Sequence, residues 1–332
     1  MGRADWVTQL THYESTDIWA CARQIATSFI PYIALMLAMF YFLQNGASFW
    51  AVGLLWPVAA LFLGRIFIIL HDCSHKSYLR GSPGACFVLG HICGIFTFTS
   101  FFAFRNSHII HHATVGNLDK RGVGDVWTLT VDEYRVAPYA KKFLYRLFRN
   151  PFFLFVIAPV FKFVVLQRLP VKGARFKEIL SIFFTDAMIV LLVWLAISTV
   201  GVKTYVAVQL PVIFFTSSLA VWIFYIHHQF ENTYWARNDT WDRFDVGLKG
   251  SVFYQLPGFL RWITGNIGYH HVHHLNARIP NYNLEKAQRD IPQLREVSPT
   301  TLWGGFRSAS LALWDEKRGR LVSFSSLKRQ GA

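Results

Sequence analysis

AVGLLWPVAALFLGRIFIILHDCSH, residues 51–75, decides how this chain is read. Its first part, Ala51–Leu70, is apolar apart from a few small residues, Pro57 and Arg65. It has the roughly 20 residues that a helix needs to cross a bilayer core. The run then ends on His71 and His75, four residues apart. On a helix that spacing puts both rings on one face. A membrane span therefore delivers two imidazoles together at its end.

Three further stretches read as spans: Ile25–Leu43, Ile179–Val200 and Tyr205–Ile226. QNGASFW joins the first two spans and GVKT the last two, so each pair is expected to form a helical hairpin. Lys203 is the sole basic residue in the two tips, whereas the segment between the hairpins carries Arg105, Lys120, Arg121, Arg135, Lys141 and Lys142 among others. Basic loops stay on the cytosolic side, which places the tips outside and both termini inside. Leu89–Phe104 and Pro151–Leu166 are apolar but shorter, and the second contains Lys162. Stretches of this length are expected at the interface rather than across the membrane. Residues 1–24 are mixed and polar, unlike a cleavable signal, so the first apolar run is expected to stay as an anchor.

Composition agrees with lipid as part of the solvent. Apolar residues make up 53% of the 332 and charged residues 16%, with mean hydropathy +0.30; soluble domains carry about 25% charged residues. The net charge of +14 and pI near 9.8 would suit nucleic acid. The basic residues lie between apolar spans, however, where topology and anionic headgroups account for them, so no nucleic-acid partner is expected. The four cysteines, Cys21, Cys73, Cys86 and Cys93, form no C-x-x-C pair and read as reduced thiols. No internal repeat, low-complexity tract or linker interrupts residues 1–332, which read as a single domain. The expected fold is an all-α integral membrane protein of the inner or plasma membrane. Four transmembrane helices form two hairpins, and a cytosolic helical cap carries the histidines.

Those histidines number thirteen and are grouped. Beside His71 and His75 stand His108, His111 and His112 in NSHIIHHATVGN, His227 and His228 in IHHQFENTYW, and His270, His271, His273 and His274 in GYHHVHHLNARIPNY; His12 and His91 stand alone. His108 has partners three and four residues on, and His270 repeats the pattern, so each group can aim two or three rings at one point. One such pair could be an ordinary polar helix face. Several groups on one predicted side of the membrane point instead to metal, and their number favours two ions. Imidazole suits iron, zinc and copper alike.

The order H-x-x-x-H, H-x-x-H-H, H-x-x-H-H, with the first box after a span, resembles the membrane fatty-acid desaturase family. RIFIILHDCSHKSY, HHATVGNLDKRGVGDVWTLTVDEY, FYIHHQFENTYW and TGNIGYHHVHHLNARIPNYNLEK look like bacterial acyl-lipid desaturases of the delta-5 and delta-12 type. The likeness runs from about residue 60 to LALWDEKRGRLVSF near the C-terminus. It implies two iron ions held by His71, His75, His108, His111, His112, His270, His273 and His274, with His228 as a ninth ligand and His227 as its competitor. It also implies O2-dependent desaturation of an acyl chain carried by a membrane lipid. A hydroxylase or ketolase on the same scaffold is the alternative, and a non-catalytic membrane metal sensor a further one. His271 falls outside the box pattern and reads as a supporting or solvated residue. Relatives suggest a polar residue near the metals, for which Asn266 is the candidate, through water. Asp72 and Glu231 are expected to hold the outer nitrogens of bound imidazoles, while Asp125 is open between that role and helix capping or ion pairing. Arg65, about 9 Å before His71 at helical rise, reads as a snorkelling cation or, less simply, as a contact to a headgroup or carboxylate.

No haem-binding H-P-G-G, Gly-rich dinucleotide fingerprint or iron–sulfur cysteine cluster occurs. Electrons are therefore expected from a separate acidic donor such as a ferredoxin.

Overall fold

The computed structural model describes residues 3–328. The two termini, expected in the cytosol, lie outside the described residues. Two helices open the chain: α1 (Ile18–Gln44) and α2 (Phe49–His75, with a slight break near Leu54). Two bent pairs follow, α3 (Pro83–Phe96) with α4 (Phe101–Thr114), and α5 (Tyr139–Phe148) with α6 (Phe153–Arg168). A second long hairpin, α7 (Phe176–Val200) and α8 (Val202–His228), completes the apolar part. Among the described residues, α1, α2, α7 and α8 are the four helices long and apolar enough to cross a membrane singly. They match the four expected spans, and Gly201 at φ +79° makes the second tip.

The helices run past the apolar stretches for local reasons. The Asp17 carboxylate accepts from the N–H groups of Trp19 and Ala20 and so starts α1 at Ile18. α2 continues through both histidines until Lys76 turns left-handed at φ +60°, where Ser77 N–H donates to the Asp72 carbonyl. α8 likewise holds His227 and His228 in its last turn. The histidines at the ends of the spans therefore sit on helix, not on loop, and inherit helical spacing.

α2 lies at the centre, packed by α1, α3 and α8. Outside that core the spans stay uncovered: 17% of the apolar window of α7 is buried within the chain, and Phe183, Val190 and Trp194 face outward. Such surface needs lipid to cover it. Proline inside α1 (Pro31) and α8 (Pro211) suits helices whose neighbours can re-satisfy freed carbonyls.

Leu89–Phe104 and Pro151–Leu166 do not form single straight helices across the membrane. The first straddles a 101° bend between α3 and α4, and the second belongs to α6, bent by 59° from α5. Gly94 permits the sharper turn, because a Cβ there would meet the Thr99 carbonyl oxygen at 2.4 Å. The bend lays α4 across the end of α2 and brings its histidines over His71 and His75.

Shorter elements form a layer over the helix ends, among them α9 (Arg243–Lys249), α10 (Gly258–Ile263), α11 (His270–Leu275) and α12 (Asn281–Asp290). This layer departs from the all-α expectation in one place. β1 (Leu129–Thr130) pairs in parallel with β2 (Leu311–Asp315), which pairs antiparallel with β3 (Arg320–Ser323). Leu129 lies opposite Leu313, and Leu313 opposite Val322, over a small core with Tyr145. Buried Arg149 ties this sheet to the spans by donating to the Leu311 carbonyl at 2.6 Å and to Gln229 Oε1 at 3.0 Å. The short chain LALWD carries too few residues for its strand pairing to be foreseen without its distant partner at residues 129–130.

Candidate metal centre

Nine histidines converge at the ends of α2 and α8, and they form two clusters. His71, His75, His108, His112 and His273 make one; His111, His228, His270 and His274 make the other. Within each cluster the potential ligand atoms lie within 4.8 Å of one another. In the five-histidine cluster the Nε2 atoms of His112 and His273 are 3.0 Å apart, and those of His112 and His108 are 3.2 Å apart. In the four-histidine cluster His228 Nε2 lies 3.1 Å from His111 Nε2 and 3.0 Å from His270 Nε2. The clusters touch where His112 stacks on His274 with ring centroids 4.1 Å apart.

This corrects one expectation. Each H-x-x-H-H group does not aim at a single point but is divided between the two clusters. α4 gives His108 and His112 to one and His111 to the other; α11 gives His273 to one and His270 and His274 to the other. The reason is angular: adjacent helical residues are about 100° apart, so neighbouring histidines such as 111 and 112 must look in different directions. A doubled histidine is thus the local device for serving two sites from one helix.

Orientation comes from the outer nitrogens. His71 Nδ1 lies 3.0 Å from Asp72 Oδ1, His111 Nδ1 2.9 Å from Asp125 Oδ1, and His228 Nδ1 2.9 Å from the Gly250 carbonyl oxygen. Each partner accepts a hydrogen bond from Nδ1–H, which leaves Nε2 with its lone pair facing inward. Asp72 is itself held: its Oδ2 accepts from Asn281 N at 2.7 Å and Asn281 Nδ2 at 2.9 Å. Gly124, at φ +72°, precedes Asp125, and a Cβ there would meet His111 Cβ at 2.8 Å. Glycine is what lets this loop lie against the His111 ring.

The residues fit metal. His75 Nε2 and His274 Nε2 are buried in the clusters without a hydrogen-bond partner among the described residues, an expensive arrangement for a polar atom unless an ion accepts its lone pair. Burial pushes His270, His273 and His274 well below the ordinary histidine range, and the neighbouring histidines add to it. Neutral imidazole is the ligating form. Neither cluster includes a thiolate or a carboxylate, so the buried charge of an ion would be offset by Asp72 and Asp125, one ring away.

Other expected site residues fall elsewhere. Between the competitors, His228 reaches the four-histidine cluster, while His227 stacks behind His270 at 3.8 Å between centroids with its Nε2 unpaired. Glu231 does not reach a histidine: its exposed carboxylate accepts from Arg320 at 3.1 Å, because the chain turns outward after α8. Asn266 is engaged on the Asn281 side. Its amide donates to the Asn281 carbonyl at 3.2 Å, which supports Asp72 at one remove. His271 is buried rather than solvated, with Nε2 2.6 Å from Gln288 Oε1, and burial lowers its pKa to about 4. Arg65 is buried and lies over the Trp262 ring, 4.3 Å from its centroid; among the described residues no carboxylate holds it. His12 is exposed, and His91 packs among Phe87, Phe101 and Phe102, away from both clusters. Sequence reasoning missed Gly250, Asn281 and Gln288, none of which carries a local signal. The four cysteines are free, in line with their reading as reduced thiols, and all four are buried.

Known proteins match this arrangement over most of its length. The family model described as fatty acid desaturase covers residues 48–304. A fatty acid desaturase of Bacillus subtilis is 40% identical over 92% of this chain and 86% of its own length. An sn-1 acyl-lipid omega-3 desaturase (ferredoxin) of Nostoc is 26% identical over 76% of this chain and 66% of its own. An sn-1 oleoyl-lipid 12-desaturase of Picosynechococcus is 26% identical over 72% of this chain and 68% of its own. The family of oxidoreductases that these matches share is the one whose histidine boxes the two clusters are built from, and this chain belongs to it: it is a membrane fatty acid desaturase.

Proposed function

We propose that the nine clustered histidines hold two iron ions and that residues 1–332 act as one unit to desaturate an acyl chain esterified in a membrane lipid. The observation that carries this reading is the pair of all-imidazole clusters standing side by side at the ends of apolar helices. Iron bound there would supply the oxidation by O2 of an unactivated C–H bond. The overall change converts –CH2–CH2– to –CH=CH– while O2, two electrons and two protons become two waters. The chain's own part is positional. Asp72, Asp125 and the Gly250 carbonyl set the histidine tautomers, and the buried, apolar surroundings keep bulk water from the reacting carbons. Relatives named as acyl-lipid desaturases support a lipid-borne substrate, and those named with ferredoxin support a separate electron donor.

The clusters face the cytosol in this reading, because the hairpin tips are almost free of basic residues. Ser48→Cys and Lys203→Cys should react with an impermeant thiol reagent from outside the cell; reaction from the cytosol alone would reverse the orientation. The activity is tested by supplying labelled phospholipid, acyl-CoA and acyl carrier protein to membranes in which lipid remodelling is blocked. Unsaturated phospholipid is the expected product. Hydroxylated product would move the chain to the sister reaction, and desaturation of a thioester alone would overturn the lipid-borne substrate.

A further inference from the structure

Eight of the nine clustered histidines are buried; His75 alone is half-buried. It lies in the wall of a cavity of about 560 Å³ that also includes Glu14, Arg105, Arg243, Asn276 and Arg278. The cavity is therefore the place where solvent comes nearest to either cluster. Its charge is one-sided. Glu14 is already neutralised by Arg80 and bonded to Asn276. Arg105 donates Nε to the Ser74 carbonyl at 3.0 Å, and Arg243 and Arg278 are exposed. Among the described residues none of these three arginines holds a carboxylate. Elsewhere on the surface Arg121, Arg168, Arg237, Arg261, Arg289 and Arg320 each do. Arg23, Arg175, Arg295 and Arg307 are exposed without a carboxylate too, but only at this cavity do three arginines without one line a wall together with a clustered histidine.

We propose that this arginine-ringed cavity is the docking site of the acidic electron carrier, so that electrons enter the metal centre at the His75 side. The inference rests on the separate-donor reading given above and adds a place to it. Each reduced carrier gives up one electron and leaves oxidised, so two dockings serve one double bond. A partner that must arrive twice per turnover and leave again is suited by steering charge more than by a large apolar interface. Arg105 positions α4 against the end of α2, whereas Arg243 and Arg278 are free to meet the carrier's carboxylates.

The test uses the full-length protein in membranes with reduced ferredoxin, and compares wild type, R243E/R278E and the control Lys141→Glu, an exposed basic position on α5. At low salt the double variant should raise the carrier KM by about tenfold or more and lose most of the salt dependence seen in wild type. Its KM for lipid, and its turnover with dithionite supplying electrons directly, should match wild type, which shows that the fold and metal centre survive. The control should behave as wild type. An unchanged carrier KM in the double variant would overturn the docking site while leaving the donor reading intact. A raised lipid KM that depends on headgroup charge would overturn it too, making the cavity a headgroup site. Wild-type turnover that ignores the carrier would remove the donor reading and this inference together.

Discussion

The two histidine clusters share α4 and α11 yet differ in their surroundings. The five-histidine cluster takes His71 and His75 from the end of α2, rests on Asp72, and reaches a solvent-facing cavity through His75. The four-histidine cluster takes His228 from the end of α8, rests on Asp125 and the Gly250 carbonyl, and is buried throughout. One face of the pair is open to exchange with its surroundings and the other is sealed. Sites built from the same helices can therefore differ in access while staying close enough to act together.

Removing one clustered histidine from each side is the most forceful way to break this comparison. His273→Ala and His274→Ala alter neighbouring residues that serve different clusters. On the two-iron proposal each should abolish desaturation and each should lower bound iron by one site, measured as iron per purified chain beside the fatty-acid profile of host lipids. Loss of both irons in both variants would show that the clusters are a single cooperative site rather than two.

Carboxylate changes should have smaller and unequal effects. Asp125→Asn should cost roughly tenfold to a hundredfold in activity, the range for residues that orient metal-bound histidines. Asp72→Asn should do the same and also destabilise the protein by about 1–3 kcal/mol, because Asp72 Oδ2 accepts two bonds from Asn281. Thermal unfolding in detergent distinguishes them: a Tm drop confined to Asp72→Asn sharpens the comparison, and equal drops would break it.

Acid sensitivity follows from His271. Its pKa is lowered to about 4 by burial, so the native state keeps it neutral while the unfolded chain takes up a proton below about pH 6.5. The stability is therefore present above that pH and is lost as pH falls from 6.5 towards 4, at about 1.4 kcal/mol per pH unit per proton. His270, His273 and His274, lowered in the same direction, add to it in the metal-free protein. Metal-free protein should lose Tm steeply over that window. His271→Asn should show a shallower slope, and an unchanged slope would remove His271 from the account. The smallest effect belongs to Glu231→Gln. An exposed pair with Arg320 contributes about 0–1 kcal/mol, so desaturation should stay at wild-type level, and a tenfold loss would return Glu231 to the metal centre.

The carboxylates show where legibility in the sequence ended. Asp72 adjoins His71 on the same helix, and its nearness was evident from position. Glu231 is the expected support and Asp125 the open one in the sequence, and the structure reverses them, because a loop residue's direction depends on how the loop packs. Gly124 and the close approach it permits decided for Asp125; the outward turn after α8 decided against Glu231.

Chain composition and order alone determined the four spans, since bilayer thickness demands about 20 apolar residues whatever the fold. They also determined the histidine boxes, since four-residue spacing puts rings such as His71 and His75, or His108 and His112, on a shared helix face. Tertiary structure decided the rest: the division of each box between two clusters, the place of His228 in a cluster and of His227 behind it, the Gly250 and Asn281 supports, and the small sheet. These depend on helix rotation and on contacts between residues far apart in sequence, such as His71 with His273 and Leu129 with Leu313. No local pattern encodes such contacts, because they exist only once the bend between α3 and α4 has laid one helix over the end of another.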